Sequence, residues 1–399
     1  MFLKDASPFN SPLKNKIVQE LYFGQTRTCN DLSDALGRSL PLISKTLYEL
    51  IDAGYIFEKG LAPSQGGRPP LMYSLRPDNM YILTISVDQL YTQIALVDMF
   101  HQYAHPVKTI DLRLLDNKFS LEILAGSIQQ YMEDTKMDRS KIIGVGIGMP
   151  GFVNNNKGIN YSYLHTGTEE SMRDYLERFL QLPVYIENDS SMIALAELKF
   201  GLAKGREDVM VINIGWGIGL GMIINGNLFR GHKGYAGELS HIPISDSNTL
   251  CECGKRGCLE TEASLRVVAK QAIKEIKNGK ISNLKITDDP DHMIEYIMHA
   301  GLHGDQYAIE LLSEMGSKIG KAVAILTHIV NPELIILSGR GAKVGKILTA
   351  PIQQALNRYC IPRLVEHMEM KVSQLGHDTG LISAAALVVQ HFGEPVLQD

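Results

Sequence analysis

The sequence predicts an α/β fold of two similar lobes behind a small N-terminal module, and three observations carry that expectation. Beyond Pro77, β-runs alternate with helical stretches, the pattern of an α/β architecture. A strand, turn, strand arrangement at 81–97 is echoed by a strand, glycine turn and strand at 209–224. The first 76 residues read instead as three helices and a hairpin. A chain of 399 residues is long for one domain, and the divisions fall at 1–76, 77–200 and 201–399. With 45% hydrophobic and 21% charged residues it has the composition of a soluble protein with a sizeable core, and no apolar run is long enough to span a membrane.

In the N-terminal module, Leu13, Ile17, Val18, Leu21 and Tyr22 recur at helical spacing. Asn30 is placed to cap a second helix through Leu32 and Leu36, which Gly37 ends. A third helix over 39–53 puts Leu40, Ile43, Leu47, Leu50 and Ile51 on its buried face, with Pro41 in its first turn. Its other face offers Ser39, Ser44, Lys45 and Tyr48, interrupted by Leu42. Two short strands, 55–60 and 71–75, flank a loop in which Arg68 sits between a glycine pair and a proline pair. The arrangement is a winged helix-turn-helix, whose third helix enters the major groove of double-stranded DNA while the wing reaches backbone or minor groove. A three-helix interaction module is the alternative. Net charge is −5 for the chain, yet residues 1–76 hold nine basic and seven acidic side chains, a mild asymmetry that decides nothing alone.

Within the α/β part, 81–87 and 93–97 read as a hairpin, 121–132 as a helix, and 142–147 as a buried strand leading into Gly148-Met149-Pro150-Gly151. Residues 184–186 precede Glu187-Asn188-Asp189 and a helix over 190–200. The second series has a strand at 209–214, the turn Gly215-Trp216-Gly217, a strand ending at 222–224, helices over 264–277 and 307–330, and a strand at 334–337 before Gly339-Arg340-Gly341.

Three of the five cysteines fall within eight residues, Cys251, Cys253 and Cys258, with His241 ten positions upstream. Three thiolates and an imidazole satisfy tetrahedral Zn²⁺, and Gly254 and Gly257 let a short loop turn its sulfurs toward one point. A fully protein-ligated ion has no open position for water, so the expected role is structural. Disulfides are the alternative; isolated Cys29 and Cys360 and the lack of an apolar leading segment fit a reducing cytoplasm better.

Taken in order, the winged helix, Gly-Met-Pro-Gly, Glu-Asn-Asp, the glycine-rich hairpin, Gly237-Glu238-x-x-His241 and the cysteine cluster resemble the ROK family of repressors and sugar kinases. The resemblance covers essentially the whole chain and implies an actin-like, two-lobed ATPase fold with sugar and nucleotide in the cleft. It implies that Asp189 occupies the position of the general base acting on a sugar hydroxyl, and that Asn188 bonds a neighbouring hydroxyl. Helix capping by Asn188, Asp189 or Ser190 is the local alternative. It further implies that Glu238 and Glu260 contact sugar hydroxyls, while His241 divides its ring nitrogens between zinc and sugar or a supporting partner. For Glu260 a helix first turn, favoured by the macrodipole, is compatible with that role.

The loops that would hold phosphate depart from the family pattern. Asp88-Gln89-Leu90-Tyr91-Thr92 stands where kinases carry Asp-x-Gly-Gly-Thr, Trp216 where they carry a small hydroxyl residue, and Arg340 within a turn that tends to plain glycine. Bulky residues prevent close approach of phosphate to backbone amides. The expected protein is therefore a regulator of carbohydrate genes responding to a sugar or sugar phosphate, not an enzyme, and acting as a homodimer or homotetramer on a DNA operator. An active sugar kinase with a DNA-binding extension is the alternative.

Overall fold

The computed structural model describes residues 11–63, 69–89, 91–376 and 379–393. Their contacts divide the chain into two compact units, Met1–Met192 with Asp378–Asp399, and Ile193–His377.

The first unit opens with α1 (Pro12–Gly24), the two-residue β1 (Arg27–Thr28), α2 (Cys29–Leu36) and α3 (Leu40–Asp52). Helix α2 starts earlier than expected. Thr28 Oγ1 accepts from Asp31 N at 3.2 Å, while Asp31 Oδ2 accepts from Thr28 N at 2.8 Å. This reciprocal box satisfies two orphan donors where Asn30 could satisfy one, and Asn30 lies inside the helix. In α3, Ile43, Thr46, Leu47 and Leu50 are buried. Leu40, expected among them, is 46% exposed: side chains lean toward a helix's N-terminus, which carries the first residue off its end. The wing is β2 (Ile56–Leu61) against β3 (Leu71–Leu75), with β1 on the other edge of β3. Arg68 lies outside the described residues.

There follow β4 (Tyr81–Val87), β5 (Tyr91–Asp98), β6 (Lys108–Asp111), α4 (Ser120–Thr135), β7 (Ile142–Met149), the small pair β8 (Val153–Asn154) and β9 (Ile159–Asn160), α5 (Met172–Leu180), β10 (Val184–Asn188) and α6 (Asp189–Phe200). Their sheet has the order β10-β7-β4-β5-β6, antiparallel from β4 to β6 and parallel from β4 to β10. Leu124 and Ile128 of α4 and Leu176 of α5 complete the core over Leu83, Ile85, Val145 and Ile147.

The second unit holds β11 (Val209–Ile214), β12 (Ile218–Ile224), β13 (Asn227–Phe229), α7 (Leu259–Ala263), α8 (Leu265–Lys277), α9 (Pro290–Leu302), α10 (Gln306–Val330), β14 (Leu334–Ser338), α11 (Lys346–Tyr359), α12 (Pro362–Val365) and β15 (Glu369–Val372). The sheet order β13-β12-β11-β14-β15 repeats that of the first unit strand for strand, so the echo read in the sequence is an echo in topology. Every residue of β11 is buried, as expected for a central strand covered on both faces. Among the described residues no helix is long and apolar enough to cross a membrane.

The last helix, α13 (Thr379–Gln390), returns to the first unit and packs on β4 and β7. Gly146 makes this possible: a Cβ there would stand 2.1 Å from the Ala384 carbonyl oxygen. The division thus differs from the expected 200/201 boundary, falling within α6 and reclaiming the C-terminus. The end of α13 meets α1, where Gln19 Nε2 donates to the Gln390 carbonyl at 3.0 Å, tying the winged helix to the α/β part of its unit.

Candidate functional site

In the second unit, His241, Cys251, Cys253 and Cys258 converge, with all four donor atoms within 4.8 Å of one another. Cys253 Sγ lies 3.6 Å from Cys258 Sγ, and Cys251 Sγ lies 3.6 Å from His241 Nδ1. Tetrahedral zinc with Zn–S near 2.3 Å needs sulfur separations of about 3.8 Å, so the set fits the ion after small adjustments. Gly254 and Gly257 have φ of +82° and +72°, and a Cβ on Gly257 would lie 2.0 Å from the Ser245 carbonyl oxygen. Burial holds the His241 imidazole below its ordinary pKa, keeping it neutral as ligation requires. Its Nε2 lies 3.9 Å from Glu238 Oε2, so the carboxylate is nearby but not hydrogen-bonded to the ring. Lys321 Nζ donates to the Ile244 carbonyl at 2.6 Å and Lys318 Nζ to that of Glu262 at 3.1 Å, bracing the loop from α10; neither lysine carries a signal in the sequence.

The same unit holds the other two sugar candidates, Glu238 and Glu260, both placed along β12. Glu260 Oε2 accepts from Ile218 N at 3.3 Å, immediately after the turn Gly215-Trp216-Gly217. Gly217 leaves room for it, since a Cβ there would be 3.1 Å from the carboxylate oxygens. Burial pushes Glu260 up to about 7, with the Ile218 amide opposing. Glu238 is presented by Gly237, whose Cβ would lie 2.4 Å from the Leu220 carbonyl oxygen. Trp216 is buried in its turn, with the Arg340 guanidinium 6.0 Å from its ring centroid. Two departures from the kinase loops, distant in sequence, therefore meet in one cation–π pair.

In the first unit, Asn188 ends β10 and Asp189 begins α6. Asn188 Oδ1 accepts from Ser190 N and Ser191 N at 3.0 and 3.2 Å, capping the helix, and its Nδ2 donates to the Gly151 carbonyl at 3.2 Å. The capping alternative is thus realised by Asn188, leaving an amide hydrogen for a ligand. Asp189 is half-buried; burial raises it to about 6, opposed by hydrogen bonds from Ser190 and reinforced by Asp88. Two residues escaped the sequence reading as site members. Glu187, buried, accepts from Asn188 N at 3.1 Å and from Asn155 Nδ2 at 3.4 Å, and Asp88 supplies the like charge beside Asp189. Glu187 stood in view within Glu-Asn-Asp, but its burial is set by strands that only folding brings together. Leu90 of the first phosphate loop lies outside the described residues.

On the winged helix, Ser39, Lys45 and Tyr48 are exposed and Ser44 is half-buried, so these four share the open side of α3. Glu49, beside them, is held by Lys14 at 2.9 Å.

A family model described as "ROK family" matches residues 116–391. A glucokinase from Halalkalibacterium halodurans is 32% identical over 271 residues, covering 67% of this chain and 82% of the enzyme. A xylose repressor from Caldicellulosiruptor bescii is 28% identical over 359 residues, 87% of this chain and 88% of the repressor. Among solved structures, a ROK family transcriptional regulator, a homolog of the E. coli MLC protein, superposes with a TM-score of 0.78 at 27% identity, covering 96% of this chain and 97% of that one. The repeated strand order is that of the actin-like ATPase fold of these relatives, and the chain belongs to the ROK family.

Proposed function

We propose that this protein is a cytoplasmic repressor of carbohydrate genes that binds a double-stranded DNA operator as a homodimer or homotetramer and changes its affinity on binding a sugar or sugar phosphate. The observation that carries the reading is the extent of the likeness: the xylose repressor aligns over 87% of the chain, whereas the glucokinase aligns over 67%. Ser39, Ser44, Lys45 and Tyr48 would meet bases and phosphates, with Arg68 of the wing. Asn188 and Asp189 of the first unit, and Glu238, His241 and Glu260 of the second, would bind the sugar. His241, Cys251, Cys253 and Cys258 would hold Zn²⁺, which supplies a rigid crosslink with no open position for chemistry. The chain's own residues do the rest: carboxylates accept from sugar hydroxyls, and Gly237 and Gly217 set where those carboxylates stand.

Phosphoryl transfer depends on amides and small side chains that cradle phosphate. Trp216 and Arg340 fill that turn, which supports regulation without catalysis. A sugar kinase with a DNA-binding extension is the second reading, favoured by Asp189, whose pKa of about 6 suits a general base. Incubation with ATP and a panel of hexoses separates the two: no turnover is expected, and turnover abolished by Asp189→Asn would overturn the proposal.

A Ser44→Ala, Lys45→Ala double variant should bind DNA about tenfold more weakly, with a salt slope reduced by about one and sugar binding intact. Parallel gel-shift titrations at several salt concentrations and thermal-shift titrations with sugar measure both. Unchanged DNA affinity would remove these residues from the interface.

The sugar response should also depend on pH. Asp189 has a folded pKa above its ordinary value near 4, so its contribution to stability is present below about pH 4 and lost as pH rises through about 6. The ionised form accepts more strongly from a sugar hydroxyl, so the rise in Tm caused by sugar should grow between about pH 5 and pH 7. Asp189→Asn should flatten that growth. A response of equal size throughout the window would contradict a carboxylate role for Asp189.

A further inference from the structure

The first turn of α3 carries an apolar tip that hydroxyl and phosphate contacts leave unexplained. Leu40, Pro41 and Leu42 are consecutive and exposed, Leu40 by 46% and Leu42 by 44%. Three adjacent apolar residues in water are a liability that a folded chain retains where a function covers them. The charges around the tip favour a polyanionic occupant. Arg38 and Lys45 are both exposed beside it, while the nearest carboxylate on the helix, Glu49, is neutralised by Lys14.

The composition of α3 narrows what could be recognised. The helix contains no Asn, Gln or Arg, so bidentate hydrogen bonding to adenine, or by a guanidinium to guanine, is not available from it. What it offers at its open side is the hydroxyls of Ser39, Ser44 and Tyr48, one ammonium, and the apolar tip. The N-terminal residues of a recognition helix are those that meet base edges in the major groove. At those edges the apolar group is the thymine C5 methyl.

We propose that Leu40 and Leu42 read thymine methyl groups, so that each operator half-site carries thymine where the first turn of α3 enters the major groove. The inference rests on the DNA-binding reading above and goes beyond it by naming the contacted group.

The test uses the full-length protein and a duplex recovered by repeated selection from a randomised double-stranded pool. That duplex is then synthesised with deoxyuridine in place of thymidine, first throughout and then at single positions; the exchange removes only the methyl. Affinity should fall about fourfold for each contacted methyl, the factor expected from burying one such group, and the loss should map to one or two positions per half-site. In a Leu40→Ala, Leu42→Ala variant the thymine and uracil duplexes should bind alike. Both leucines are exposed, so the variant should keep the parent's thermal transition, and the uracil arm needs no variant at all. Equal binding of thymine and uracil duplexes by the parent protein would overturn the inference while leaving DNA binding in place. Failure to recover any duplex would sink the DNA-binding reading itself. A double variant that changed the mass of the oligomer but not the thymine-to-uracil ratio would assign the tip to a contact between copies and overturn the proposal.

Discussion

Cys258→Ser is expected to abolish zinc retention and the sugar response together, while the winged helix remains folded. Structural zinc contributes on the order of 10 kcal/mol to the fold it closes, and three remaining ligands hold the ion far less well. The loop depends on it directly: Pro243 bridges to Cys258, and Leu259 N donates to the Ile242 carbonyl at 3.0 Å, so loosening Cys258 releases both sides of the loop. Glu260 follows two residues later and loses its position against Ile218 N. The winged helix belongs to the other unit. Metal analysis, thermal unfolding and DNA titration should show the zinc gone, the sugar-induced rise in Tm lost, and DNA affinity within a few-fold of the parent. A variant that lost its zinc and still responded to sugar would separate the metal from the pocket.

The second large effect is expected from Gly146→Val. A Cβ at this position would overlap the Ala384 carbonyl oxygen at 2.1 Å and crowd Val388 Cγ2 at 3.0 Å. The obstacle is backbone and cannot rotate away, and β7 is an interior strand of its sheet, between β10 and β4. We expect a loss of 4 kcal/mol or more, roughly the upper end for single substitutions, with α13 undocked from β4 and β7. Undocking would also release Gln19 from the Gln390 carbonyl, so winged-helix amides should exchange hydrogen faster than in the parent. Hydrogen exchange and urea unfolding measure the two effects. A variant of near-parental stability would mean that α13 does not depend on this close approach.

These two sites differ in how far they could be read from the chain. The convergence of His241, Cys251, Cys253 and Cys258 was legible because three of them lie in one short loop, where spacing alone limits the geometry. The repeated hairpins were legible because each is a pair of largely apolar runs about a turn, and the repeat extends to the whole sheet. The docking of α13 was not, since Gly146 gives no sign of the helix that meets it from the far end of the chain. Thr28 was passed over as a cap because Asn30 is the stronger capping type, and the Asp31 carboxylate that decides between them acts through the fold of one turn. Trp216 and Arg340 were each recognised as departures from a kinase loop; their pairing is a tertiary fact. Asn188 shows the limit from the other side, for it is a cap and a sugar candidate at once, and local sequence offers no means of choosing.

The most direct test of the central claim is DNA affinity measured with and without sugar. The selected duplex is titrated with protein by fluorescence anisotropy at fixed salt, against a panel of mono- and disaccharides and their phosphates, each present at saturation. The account predicts that at least one sugar changes the apparent Kd tenfold or more, that Asp189→Asn and Cys258→Ser remove the change, and that ATP is not consumed. A duplex affinity that no sugar alters, accompanied by ATP-dependent phosphorylation of a hexose, would contradict it.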